Sequence, residues 1–287
     1  MRPVKEYLRP LKVPVYAAER SLRCRYPGNL RFPDFLGIGS GQAGSTWLFR
    51  NLSRHPRVFM PGIKETHYFD YSFNHCRVSY YCSLFAHGKD PSTVTGEITP
   101  SYTLLRPDRI RLIHRFMPNA RLFLMVRHPV DRAWSGARRT LSKVAAEKGC
   151  RLEDLDDREF YEYFEKEWAY RPERHPKGAY PRGMLQGHYC RTIDQWTRYF
   201  PKEQLLVGFF DEIDSNPRGL MERILVHIGA DTDIDWSTMP LTDVVNRNPS
   251  FPLPERFRVA LEALYADELR ELRQRFGSAP VEWLRQG

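Results

Sequence analysis

The run from Gly39 to Thr46, GSGQAGST, has the residue types and spacing of an anion cradle. Glycines let the chain turn tightly and bring backbone N–H groups close to a ligand. A helix starting immediately afterwards would add the positive end of its dipole. Measured against the nucleoside-triphosphatase loop G-x-x-x-x-G-K-[ST], Gly39, Gly44 and Thr46 fit, but Ser45 stands where that loop has lysine. The apolar run LFLMV ends in Arg127 rather than in a magnesium-holding aspartate, and Asp211 after LLVGFF is the only residue that could take that part. A P-loop kinase is therefore the lesser reading of this loop.

Such a loop must be positioned by a strand before it and a helix after it, and the flanking residues supply both. FLGIG (35–39) is a short apolar run ending in glycine, and TWLFRNLSRHP follows with Leu48 and Leu52 at helical spacing. TVTGEI (93–98) is β-rich, and PDRIRLIHRFM carries Ile110, Ile113 and Met117 on one helical face. LFLMV (122–126) is apolar without alternation, as expected of a parallel strand covered on both faces, with a helix from about Val130. QLLVGFF (204–210) reads as another buried strand. One helix bearing Leu185, Tyr189, Ile193 and Trp196 precedes it, and another bearing Leu220, Ile224 and Ile228 follows. A last helix runs from about Glu255 to Phe276, with Phe257, Leu261, Leu264, Leu272 and Phe276 on its inner face and Gly277 as C-cap. Strands alternating with helices predict an α/β fold of three layers, a central parallel sheet flanked by helices, with ligands beyond the C-terminal strand ends.

Composition bounds the rest. At 287 residues, 41% hydrophobic and 28% charged, the chain can bury one full core. We divide it into a basic extension, 1–32, and one domain, 33–287. Lys plus Arg exceed Asp plus Glu by 44 to 35, a net charge of +9, which favours anionic partners. No aromatic-interleaved basic stripe supports a nucleic-acid partner. The first thirty residues scatter basic residues and prolines around VPVYAA, too short an apolar stretch for a signal-peptide core, and no run approaches the roughly eighteen apolar residues of a membrane span. The expectation is a cytoplasmic protein without a transmembrane segment, its basic N-terminus suited to peripheral contact with an anionic membrane. The five cysteines lack the paired spacing of a zinc site. Free thiols are expected, and a Cys76–Cys82 disulfide is the alternative.

Four segments in order, FLGIGSGQAGSTWL, KETHYFD (64–70), GEITPSY (96–102) and LFLMVRHPVDRAWS (122–135), resemble the sulfotransferase superfamily, in particular bacterial enzymes similar to heparan sulfate N- and 3-O-sulfotransferases. The resemblance runs from about Pro33 to Gly277. It implies a donor, 3′-phosphoadenosine 5′-phosphosulfate (PAPS), a product, PAP, and no required metal. Gly41, Gln42, Ala43, Gly44, Ser45 and Thr46 would cradle the 5′-phosphosulfate. Arg127 and Ser135 would hold the 3′-phosphate, which a planar charged donor fork and a hydroxyl suit. Arg247 is a further candidate for that phosphate, and Arg132 a structural tie. Glu65 matches the family's catalytic glutamate, with His67 as its orienter or as alternative base. On an extended segment the two share a face.

Two residues depart from the pattern. Gln42 stands where the family has a lysine on the bridging oxygen and leaving phosphate, and losing that charge would cost about 2–4 kcal/mol in the transition state. Ile98 stands where heparan-type enzymes carry lysine, favouring a less anionic acceptor, with Glu97, Thr99, Ser101 and Tyr102 lining the acceptor side. The resulting expectation is sulfuryl transfer to a hydroxyl or amine of a carbohydrate, lipid-linked or small-molecule acceptor. A nucleotide-binding protein impaired by Gln42 is the alternative. Loops at 71–88 and 149–181, with Tyr80, Tyr81, Trp168, Tyr170 and Tyr180, are the expected acceptor surfaces.

Overall fold

The computed structural model describes residues 31–86, 90, 92–155, 158, 162, 182–243 and 252–277. Arg247, Trp168, Tyr170, Tyr180 and most of the N-terminal extension lie outside the described residues.

Five parallel strands form one sheet in the order β2-β3-β1-β4-β5. They are β1 (Phe35–Gly39), β2 (Val58–Phe59), β3 (Val94–Ile98), β4 (Arg121–Val126) and β5 (Leu205–Phe209). The helices that position the site are α1 (Ser45–Leu52), α2 (Val78–Ser83), α3 (Pro107–Phe116), α4 (Pro129–Glu147), α5 (Arg182–Leu185), α6 (Tyr189–Thr197), α7 (Glu212–Ser215), α8 (Pro217–Ile228) and α9 (Glu255–Phe276). The three-layer α/β fold read from the sequence is the observed one.

Every residue of β1 is buried, because successive side chains enter different cores. Leu36 and Ile38 join Leu122, Leu124 and Val126 against Tyr68, Tyr102, Ile110 and Trp196. Phe35 joins Phe123, Met125 and Ile98 against Trp47, Leu48, Leu220 and Ile224. A third cluster packs Val130, Ala137 and Leu141 of α4 against Phe257, Leu261 and Tyr265 of α9. Gly96 pairs with Phe35 across β1 and β3, and a Cβ there would lie 2.3 Å from the Phe35 ring. Gly96→Ala overpacks that core and should cost about 1–3 kcal/mol. At roughly 2–4 °C per kcal/mol for a domain of this size, calorimetry should record a fall of several degrees in Tm.

Two expectations need correction. Among the described residues β5 is an edge strand, bonded only to β4, and Gly208 is its one buried residue; with no described strand beyond it, half-burial replaces the full burial its apolar run suggested. The segment read as one helix around Leu185 and Tyr189 is broken at Gln186 and Gly187 into α5 and α6, where the Tyr265 ring leaves no room for a side chain on Gly187. The expected free thiols are found at Cys76 and Cys82, and burial pushes Cys82 up to about 12.

From β1 the chain passes to β2 and β3 on one side and then crosses to β4 and β5 on the other, so the crevice between the C-terminal ends of β1 and β4 is the topological switch point. The loop after β1 and Arg127 after β4 both open there.

Candidate active site

The loop is anchored across that crevice. The Ser40 amide and hydroxyl both donate to the Met125 carbonyl, at 3.0 and 3.1 Å. Gly44 caps α1 in the left-handed region, φ 87°, with no side chain capping the helix. A Cβ on Gly44 would come within 2.4 Å of Ile213, so only glycine suits both this backbone and this packing. The first amides of α1, from Ser45 onward, therefore carry no side-chain cap, the arrangement an anion completes. Ala43 is fully buried among Trp47 and its neighbours, so only its backbone can serve a ligand.

Arg127, Ser135 and Gln42 come together. Arg127 Nη1 donates to the Gln42 carbonyl at 3.2 Å, and Ser135 Oγ donates to Gln42 Oε1 at 3.1 Å. The Arg127 guanidinium lies 4.4 Å from the centre of the Phe210 ring. The Tyr189 hydroxyl clamps its backbone, donating to the Arg127 carbonyl at 2.8 Å. Burial holds the Arg127 pKa below the usual guanidinium range, so an arriving anion would find a partly desolvated cation. Gln42 adopts φ 68°, and its side-chain oxygen faces Ser135. Arg132, 1% exposed, donates to the Gly183 carbonyl and ties α4 to α5, the structural part expected of it.

The second cluster lies along KETHYFD. Lys64 Nζ meets Glu65 Oε1 at 2.8 Å, and His67 Nε2 lies 3.2 Å from Glu65 Oε2. The other ring nitrogen, Nδ1, lies 3.0 Å from Asp70 Oδ2, which also accepts from Ser101 Oγ at 2.5 Å. Asp70 fixes the imidazole and Glu65 receives its far side, so carboxylate, imidazole and carboxylate form a chain able to take and pass a proton. Glu65 and His67 meet as expected, though not on an extended strand: His67 sits at φ 48°, a left-handed conformation that costs a non-glycine residue on the order of 1 kcal/mol. His67, Asp70, Tyr71, Ser101, Leu104, Gly183 and Gln186 line an open cleft of about 420 Å³. Gln186 also abuts Gly41, where a Cβ would lie 2.6 Å from its Oε1, so the cleft adjoins the anion loop.

Sequence reasoning missed Asp70 and Gln186. Asp70 was visible as the last residue of KETHYFD, three positions after His67 in a turn; Gln186 gave no signal. Three residues expected at the acceptor side are instead interior. Glu97 and Thr99 are 0% exposed, and Tyr102 is equally enclosed. Of that group only Ser101 reaches the cleft. Ile98 points into the core against Gly37 and cannot meet an acceptor. Tyr81 is also buried, donating to Glu97. Among the described residues no group of three or more His, Cys, Asp or Glu side chains could hold a metal ion, and no helix is long and apolar enough to cross a membrane.

Residues 32–248 match the family model described as the sulfotransferase domain. The chain belongs to the sulfotransferase family. It is similar to human heparan sulfate glucosamine 3-O-sulfotransferase 6, with 31% identity over 203 residues, 71% of this chain and 54% of that protein. The mouse protein of the same name is 29% identical over 77% of this chain and 61% of its own length. The chain thus spans little more than half the length of these curated relatives. A solved sulfotransferase from Alicyclobacillus acidocaldarius superposes with a TM-score of 0.64 at 26% identity, covering 85% of this chain and 95% of that one. Mouse sulfotransferase SULT7A1, solved complexed with PAP, shares the fold, with a TM-score of 0.52 at 13% identity over 90% of this chain and 91% of its own.

Proposed function

We propose that this chain transfers the sulfuryl group of PAPS to a hydroxyl or amine of a carbohydrate, lipid-linked or small-molecule acceptor. The observation that carries the reading is the convergence of Arg127 and Ser135 on Gln42, which joins the uncapped start of α1 to a partly buried guanidinium in one anion-binding surface beside the Glu65–His67–Asp70 chain. Among relatives of this fold, SULT7A1 was solved with PAP.

The loop amides would hold the 5′-phosphosulfate, and Arg127 with Ser135 the 3′-phosphate. Glu65 takes the proton of the acceptor hydroxyl or amine as that atom bonds to sulfur. The bond from sulfur to the bridging oxygen breaks in line, and PAP departs with the electron pair. His67, held by Asp70, keeps Glu65 in place. Incubation with labelled PAPS and a panel of neutral, amino and anionic sugars tests the reading; label appearing on an acceptor is the expected result.

A second reading, a PAP- or PAPS-binding protein with impaired transfer, is favoured by one observation: Gln42 is uncharged and gives its side-chain oxygen to Ser135. Gln42→Lys would supply a charge to the leaving phosphate. For a working but slowed enzyme kcat should rise at least tenfold. No transfer by either protein, with PAP binding intact by calorimetry, would establish the second reading.

A further inference from the structure

Beneath the cleft, four hydroxyls converge on the enclosed carboxylate of Glu97. Tyr81 and Tyr102 donate to Oε1 at 2.6 and 2.9 Å, and Thr66 and Thr99 donate to Oε2 at 2.5 and 2.7 Å. Four donors fill the four lone-pair positions of an ionised carboxylate. The chain of bonds continues upward. Thr66 Oγ1 accepts from the Tyr68 amide, and the Tyr102 hydroxyl accepts from the Phe69 amide, both at 3.3 Å. Two hydroxyl relays thus run from Glu97 to the backbone immediately after His67, and one of them starts at Thr66, between Glu65 and His67.

We propose that Glu97 is a positioning residue of the acceptor site, holding Thr66, Tyr68 and Phe69 so that His67 stays left-handed with one ring nitrogen on Asp70 and the other on Glu65. The contrast between Thr66 and Thr99 carries the inference. Both hydroxyls bind the same carboxylate oxygen, but only Thr66 belongs to the segment that bears Glu65 and His67. Burial raises the Glu97 pKa above the ordinary carboxylate value, and its four hydroxyl partners pull against that rise.

The proposal rests on the Glu65–His67 reading of the site, so its test includes a measurement that needs no turnover. The charged groups around His67 are Glu65 and Asp70, with Lys64 on Glu65 and Arg109 acting electrostatically on Asp70. Thr66→Val and Thr99→Val each remove one donor to Glu97 and keep the branched shape. In protein carrying ¹⁵N-labelled histidine, with the His67 signal assigned through His67→Gln, Thr66→Val should change the ¹⁵N chemical shifts of the two His67 ring nitrogens at fixed pH, since each faces a carboxylate in the wild type. It should also lower kcat at least tenfold with little change in the KM for PAPS. Thr99→Val should do neither, even where the two variants lose similar Tm. Equal behaviour of Thr66→Val and Thr99→Val would make the cage merely structural and overturn the proposal. If the wild type transfers sulfate to no acceptor, the enzymatic reading fails and the His67 ¹⁵N signal alone decides the positioning role. Glu97→Gln, which turns an amide donor toward two hydroxyls, should reproduce the Thr66→Val change in the His67 ¹⁵N signal if it folds.

Discussion

Arg127→Ala should weaken the binding of PAP at least a hundredfold while adenosine 5′-phosphosulfate, which lacks the 3′-phosphate, loses far less. Hydrogen bonds to an ionised partner contribute about 1.5–3 kcal/mol each, and a guanidinium facing a phosphate makes two in parallel. The Arg127 side chain is already partly desolvated and stacked on Phe210, so little ordering remains for the ligand to impose. Parallel titration calorimetry with the two nucleotides measures the difference. Arg127 also holds the Gln42 carbonyl. Equal losses for both ligands would therefore assign its contribution to shaping the loop and remove it from the 3′-phosphate.

Glu65→Gln carries the second large effect. A general base typically contributes 10²–10⁴ in rate, and glutamine keeps the shape while losing the proton acceptor. The affinity for PAP should stay within about twofold, because Glu65 contacts Lys64 and His67 and none of the loop residues in the described structure. Single-turnover measurements with labelled donor separate the two quantities. Turnover surviving near the wild-type rate would take Glu65 out of the mechanism and leave His67, which borders the cleft itself, as the base.

The sheet and the loop were legible because their signals are local. An apolar run ending in glycine, then a helical period, specifies a strand, a turn and a helix with no knowledge of neighbours, and β1 with α1 obeys. Arg127 was legible for the same reason, as a charge directly after a buried run. β5 was misjudged because the run LLVGF does not say whether another strand lies beyond it. Glu97 was misjudged more instructively. An acid in a strand reads as exposed, since burying a carboxylate is costly without partners. Two of its partners, Thr99 and Tyr102, follow it closely in the chain, but Thr66 and Tyr81 come from separate segments that only the fold brings to it. Ile98 carried the converse lesson: alternation along β3 turns it to the face away from the Glu97 cage and the cleft, so its type reports packing and says nothing about an acceptor.

Strand neighbours in this sheet are distant along the chain, since β1 bonds to β3 and to β4 with whole crossovers between. The contacts that make the anion surface span 85 residues from Arg127 to Gln42 and 93 from Ser135 to Gln42. Pairings of that reach form late and slowly, because loop-closure entropy must be met before any contact rewards it. The proposed nucleotide site is therefore a readout of completed folding. Partly folded chains with helices already formed will not bind PAP, and saturating nucleotide will stabilise only the fully registered sheet. During refolding, ligand binding should recover with the slowest phase, after helical circular dichroism has returned.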